Sequence, residues 1–214
     1  MKVKVCGMRE MNNLRQLSEL AVDYVGFIFY AESKRFVSDG LMDQLFSIPP
    51  VRIKKVGVFV HEAFDVILDK IRRYHLEVVQ LHGKESVSQC LALKEEGVMV
   101  IKAFGVSESI DFLMLKPYLN AVDYFLFDTQ SPSYGGTGRA FDWNILRKYP
   151  YDKPYFLSGG LGLENLKQLK ELSDDRLFAL DLNSKFETES GIKDVKGVAE
   201  AIKIIRSIER EEQS

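Results

Sequence analysis

The chain has 214 residues, 46% of them hydrophobic and 28% charged, with a formal net charge of −2. One hydrophobic core is feasible at this size, and the composition is that of an ordinary globular protein. The balanced charge, with no lysine-arginine cluster, argues against nucleic acid or an anionic membrane as a partner.

No stretch approaches about 18 consecutive apolar residues, so no membrane span is expected. The N-terminus alternates charge with valine and lacks the apolar centre of a signal peptide. Cys6, Cys90 and three scattered histidines make no metal-ligand spacing. Two free thiols in a reducing cytoplasm are expected, with no metal.

In chain order, KVKVC (2–6) is the first β-like run, and Leu14, Leu17 and Leu20 follow at helical spacing. DYVGFIF (23–29) comes next, then Met42 and Phe46, which read as core packing. IKKVGVFV (53–60) precedes a helical stripe of Phe64, Ile67, Leu68 and Ile71. EVVQL (77–81), VMVIKAF (98–104) and VDYFLF (122–127) are the fourth to sixth runs. Cys90, between Leu91 and Leu93, reads as a small apolar core residue.

PYFLS (154–158) is the seventh run, with Leu163, Leu166 and Leu169 spaced as a helix behind it. RLFALDL (176–182) is the eighth. A last helix from Val195 to Ile208 places Val198, Ile202, Ile205 and Ile208 on one face. The tail EREEQS, 209–214, is expected to be frayed and solvated.

Eight βα units without a linker predict an α/β fold: a closed (β/α)8 TIM barrel forming one domain over 1–214. A doubly wound open sheet is the competitor. GGLG (159–162) follows a strand and Asp181 lies at a suitable distance, but Asn165 stands where the third fingerprint glycine belongs.

A barrel places its chemistry at the C-terminal ends of its strands. Cys6 ends the first strand, and Arg35 lies in the loop after the second. Gln80 and His82 flank the end of the fourth, and strand five offers only Lys102. Asp128 ends the sixth, Gly159 and Gly160 the seventh, and Asp181, Asn183 and Ser184 the eighth. Singly, each has an ordinary reading: Arg35 a solvated charge, Asp128 a helix cap, His82 a structural histidine. Unrelated surface residues have no reason to share one rim. SGGLGLENL would present backbone N–H groups at a helix N-terminus, which favours an anion. With the segment DLNSKFETESGIKD, it suggests a phosphate grip after strands seven and eight.

The segments KVKVCGM (2–8), DYVGFIFYAESKRFV (23–37), VVQLHG (78–83), FLFDTQSPSYGGTGRAFDW (125–143), SGGL (158–161) and ESGIKD (189–194) run from the first strand to the last helix. Together they resemble phosphoribosylanthranilate isomerase, the (β/α)8 enzyme of tryptophan biosynthesis. Two departures stand out. Lys34 occupies the middle of a motif that commonly reads Ser-Pro-Arg, and Asn183-Ser184-Lys185 stands where Ser-Ser-Gly is usual. A lysine resists the positive φ open to glycine.

The resemblance implies an intramolecular, cofactor-independent Amadori rearrangement of a small phosphorylated substrate by a monomer or homodimer. By it, Cys6 is the general base and Asp128 the general acid. Arg35 holds the anthranilate part, with Gln80, His82 and Asp181 around the substrate. Gly159, Gly160, Asn183, Ser184 and Lys185 hold the phosphate. A free thiol, with a pKa of about 8.5, is only slightly ionised at neutrality. Lys4, two residues upstream on the same strand face, is a candidate for favouring the Cys6 thiolate. The alternative is that Lys4 pairs with a carboxylate inside the barrel and never influences Cys6. Other phosphosugar barrels, and a silent barrel that only binds, are rival readings. The loop TQSPSYGGTGRA is expected to close over substrate.

Overall fold

The computed structural model describes residues 1–45, 53–130 and 140–212. Eight strands lie parallel in chain order: β1 Lys2–Cys6, β2 Tyr24–Ile28, β3 Lys54–Phe59, β4 Val78–Leu81, β5 Met99–Val106, β6 Tyr124–Thr129, β7 Tyr155–Leu157 and β8 Leu177–Leu182. The last pairs back onto the first, with Val3 beside Leu180 and Lys4 beside Asp181. That pairing closes a barrel and excludes the open sheet.

The strands form here because their residues are apolar on both faces, as a parallel sheet requires. Tyr24, Val56, Val78, Ile101, Leu126 and Phe156 fill the barrel interior below Cys6. Val3, Val5, Val79, Phe125 and Leu180 face outward into a second core shared with the helices. Each such side chain contributes about 1.5–3 kcal/mol on burial.

The helices α1 Met11–Ser18, α2 Asp39–Leu45, α3 Phe64–Tyr74 and α4 Val87–Glu95 cover the outside. Glu10 caps α1 by accepting from the N–H groups of Asn12 and Asn13, and Ser86 caps α4 through Gln89 N–H. Leu14 and Leu17 are buried as expected, and so are Ile67, Ile71 and Met42. Phe46 and most of the TQSPSYGGTGRA loop lie outside the described residues.

The outer layer is less regular than eight helices. After β5 and β6 the chain forms 3₁₀ helices, Phe112–Tyr118 and Trp143–Lys148. Pro117 sits inside the first, where it removes an N–H that an α-helix would use. After β7, a 3₁₀ turn over Leu166–Gln168 leads into the four-residue α5, Leu169–Leu172. Leu166 and Leu169 are buried, but Leu163 precedes the helix and is 40% exposed. A short hairpin, β9 Glu187–Glu189 with β10 Ile192–Lys193, precedes α6 Val195–Glu212.

α6 continues through residue 212, where the sequence suggested a frayed, solvated end; Arg210 and Glu211 are exposed but helical. Glu209 pairs with the terminal amine of Met1 and with Arg206, and Glu211 with Lys170. Met1 and Lys170 lie outside α6 and tie its last turns to the rest of the chain, while Arg206 belongs to α6 itself. Lys102 is also not a rim residue. It faces outward beneath α4, buried against Glu85 at 3.1 Å.

Candidate active site

At the C-terminal rim a cavity of about 350 Å³ is lined by Cys6, Arg35, Gln80, His82, Asp128, Gly159, Gly160, Asp181, Asn183 and Ser184. Ten of the eleven expected site residues therefore meet in one hollow. The eleventh, Lys185, does not line it. Its ammonium pairs with Glu164 at 3.1 Å on the exposed side of the loop. Lys185 lies in a 3₁₀ turn over Ser184–Phe186 and is not among the residues with positive φ. The chain thus takes a path open to lysine.

Cys6 reaches the rim because β2 makes room for it. Gly26 lies opposite in register, and a Cβ there would stand 2.6 Å from Cys6 Sγ. The thiol is 3% exposed. Burial pushes its pKa up, Lys4 pulls it down, Asp181 pushes it up again and Lys193 opposes; the net direction is upward. The carboxylate pairing is present, but it does not isolate Lys4 from Cys6. Lys4 is fully buried with Nζ 2.7 Å from Asp181 Oδ2, and it also favours the thiolate. Burial alone would lower the Lys4 pKa, but Asp181 and Cys6 reverse this and keep the ammonium charged.

Across the cavity, Asp128 Oδ1 accepts from Thr129 N–H at 2.8 Å, and Oδ2 lies 3.3 Å from His82 Nε2. Gln80 Nε2 stands 2.9 Å from His82 Nδ1. An amide nitrogen can only donate, so Nδ1 accepts and Nε2 carries the proton toward Asp128. Among the described residues, two buried side-chain acceptors have no donor, Gln80 Oε1 and Asp181 Oδ1. Buried acceptors are normally satisfied, so a ligand bringing hydroxyl donors would suit this wall.

Gly159 and Gly160 both have positive φ, +87° and +63°. They turn the backbone at the end of β7, and the helix behind is displaced to Leu166–Leu172. The glycine turn is therefore not followed directly by a helix N-terminus, which the sequence had suggested. Among the described residues, no group of three or more His, Cys, Asp or Glu could hold a metal ion. No helix of the described residues is long and apolar enough to cross a membrane.

Two residues behind the cavity wall, Glu187 and Lys193, escaped the sequence reading. Arg35 Nε and Nη2 donate to Glu187 Oε1 and Oε2 at 2.8 and 2.6 Å. Lys193 Nζ donates to the same Oε1 at 2.6 Å and to Asn183 Oδ1 at 2.8 Å. Burial works against ionisation of Glu187, but its partners Arg35 and Lys193 more than reverse this and hold the carboxyl below its usual range.

Residues 3–204 match the family model of N-(5'-phosphoribosyl)anthranilate (PRA) isomerase. The chain belongs to this family. It is 43% identical over 196 residues to the N-(5'-phosphoribosyl)anthranilate isomerase of Parabacteroides distasonis, covering 91% of this chain and 89% of that one. Among solved structures, phosphoribosyl anthranilate isomerase from Thermus thermophilus aligns with a TM-score of 0.84 at 25% identity, over 97% of this chain and all of that one. A second isomerase structure, bound to reduced 1-(o-carboxyphenylamino)-1-deoxyribulose 5-phosphate, aligns with a TM-score of 0.80 at 33% identity, covering 97% and 99%. The sequence resemblance to the isomerase family is therefore borne out, as is the barrel.

Proposed function

We propose that this chain catalyses the Amadori rearrangement of N-(5'-phosphoribosyl)anthranilate to 1-(o-carboxyphenylamino)-1-deoxyribulose 5-phosphate, a step of tryptophan biosynthesis. The observation that carries the reading is that Cys6 and Asp128 line one cavity with Arg35 and the Gly159–Gly160 turn.

The substrate lies with its phosphate on the glycine turn, near Asn183 and Ser184, and its aromatic carboxylate toward Arg35. Its sugar spans Cys6 and Asp128 and offers hydroxyls to Gln80 Oε1 and Asp181 Oδ1. Asp128 protonates the ring oxygen and the C1'–O bond breaks, giving a protonated Schiff base on the anthranilate nitrogen. The Cys6 thiolate then removes the C2' proton, and the electron pair moves into the C1'–C2' bond while the iminium nitrogen is neutralised. The resulting enolamine takes up a proton at C1' and releases the proton of its C2' hydroxyl, which leaves the ketone. The iminium is its own electron sink, so the chemistry requires no cofactor.

The activity resides in a cytoplasmic monomer or homodimer, with the whole chain as one barrel domain. The experiment follows the fluorescence of the anthranilate substrate. Loss of signal at a rate proportional to purified enzyme is expected. No loss above background, and failure to rescue a tryptophan auxotroph lacking this step, would refute the reading.

A further inference from the structure

We propose that Glu187 is a positioning residue for substrate recognition: it holds one edge of the Arg35 guanidinium and turns the other toward the cavity for the substrate's carboxylate. The inference rests on the isomerase reading and adds a residue to it.

A guanidinium has two edges that can each engage a carboxylate. Glu187 occupies the Nε–Nη2 edge with two short bonds. The hydrogen bonds of Arg35 among the described residues leave its Nη1 side uncommitted, and Arg35 lines the cavity. The carboxylate that fixes it is itself immobile. Glu187 Oε1 accepts from Arg35 Nε, from Lys193 Nζ and from Gly191 N–H at 3.1 Å. The Glu187 side chain is only 6% exposed.

Lys193 is anchored in turn. Asn13 of α1 accepts from Lys193 N–H at 2.7 Å and donates to its carbonyl at 2.9 Å. The stem of Arg35 crosses the end of β1 where Gly7 has no side chain; a Cβ there would be 2.6 Å from Arg35 Cδ. The guanidinium is thus fixed from both ends.

Charge supports the same role. Arg35, Lys193 and Glu187 together carry one net positive charge, which one substrate carboxylate neutralises. Without Glu187 two cations would face each other, and the arginine would be free to turn.

The test compares two ligands on wild type and Glu187→Gln. One is reduced 1-(o-carboxyphenylamino)-1-deoxyribulose 5-phosphate; the other is the same compound without the ring carboxyl. Loss of a charge-assisted, pre-oriented contact should weaken the first by about tenfold or more, and the second by less than about twofold. KM for the natural substrate should rise more than kcat falls. Glu187→Asp, which keeps the charge but withdraws it by one methylene, should show the same selective loss to a smaller degree, and it serves if Glu187→Gln fails to fold.

Equal weakening of both ligands, or of neither, overturns the proposal. Wild type that binds the two ligands alike overturns the carboxylate assignment of the isomerase reading, and the proposal with it. Wild type that prefers the carboxylated ligand while the variants keep that preference overturns the proposal alone.

Discussion

Inside the barrel, Lys4 Nζ stands 2.7 Å from Asp181 Oδ2, with both side chains almost wholly shielded from water. The register of β1 on β8 sets this distance, since the two residues are direct neighbours. The pair supports Cys6, the proposed general base, from below without belonging to the proposed reacting groups. Lys4→Met should leave a buried carboxylate without its cation, destabilising the chain by about 3–5 kcal/mol. It should also raise the Cys6 titration midpoint further, because Lys4 draws that midpoint down. Adding Asp181→Asn should recover much of the stability. Denaturant midpoints and alkylation rates against pH provide the check; an unmoved cysteine midpoint would separate Lys4 from Cys6.

The upward shift of Cys6 has a definite sign in a pH profile. The thiol form is favoured in the folded protein, chiefly by burial, so the thiolate is scarce at neutrality. Cleavage of the C2' proton by that thiolate should therefore quicken as pH rises from neutrality, and kcat/KM should climb toward an alkaline plateau. The same shift lowers stability in alkali. Cys90 is likewise pushed up, to about 11, mainly by burial. Above about 8.5 an unfolded chain releases thiol protons that the folded chain retains, so stability falls as pH increases through that window. Denaturant midpoints at pH 8 and 10 should show the drop, and Cys90→Ala should flatten it. An acid-side limb controlled by Cys6 with a midpoint below that of a free thiol would contradict this account.

Cys6→Ser and Asp128→Asn test the proposed base and acid directly. Each should reduce kcat by about 10²–10⁴-fold, the usual worth of a positioned acid or base. KM should stay within several-fold, because neither group carries the phosphate or the carboxylate. Steady-state kinetics with the fluorescent substrate measure both. Turnover near wild type in either variant would remove that residue from its role.

The parts legible in the sequence share one property: they are set by local pattern. The eight strands announce themselves as short apolar runs because a barrel buries both faces of each. Cys6 was conspicuous because a thiol at a strand end followed by glycine is unusual in a core. The Arg35–Glu187 pair was not legible. Its members lie 152 residues apart, and Glu187 sits in a polar run, ETES, that reads as solvated loop. The β9–β10 hairpin that places it is three residues against two, too short for any periodicity to appear. Lys185 is a different case. The resemblance put it at the phosphate, and only the three-dimensional path of the loop reveals Glu164 as a partner of its ammonium.

That difference makes the anion grip testable by contrast. Gly159 has φ of +87°, and a Cβ there would meet Thr129 N at 2.5 Å and Asp128 Oδ1 at 2.9 Å. Gly159→Ala should therefore disturb both the turn proposed to hold the phosphate and the carboxyl proposed to protonate the sugar. A left-handed backbone costs an L-residue about 1–2 kcal/mol before any clash is counted. KM for the substrate should rise and kcat should fall together, and inhibition by inorganic phosphate should weaken. Lys185→Ala, whose side chain points to Glu164 away from the cavity lining, should leave KM within about twofold, as expected when a surface pair is lost. Substrate kinetics with phosphate as competitor check both variants. A large KM rise in Lys185→Ala, with Gly159→Ala unaffected, would move the anion site from the glycine turn to the lysine.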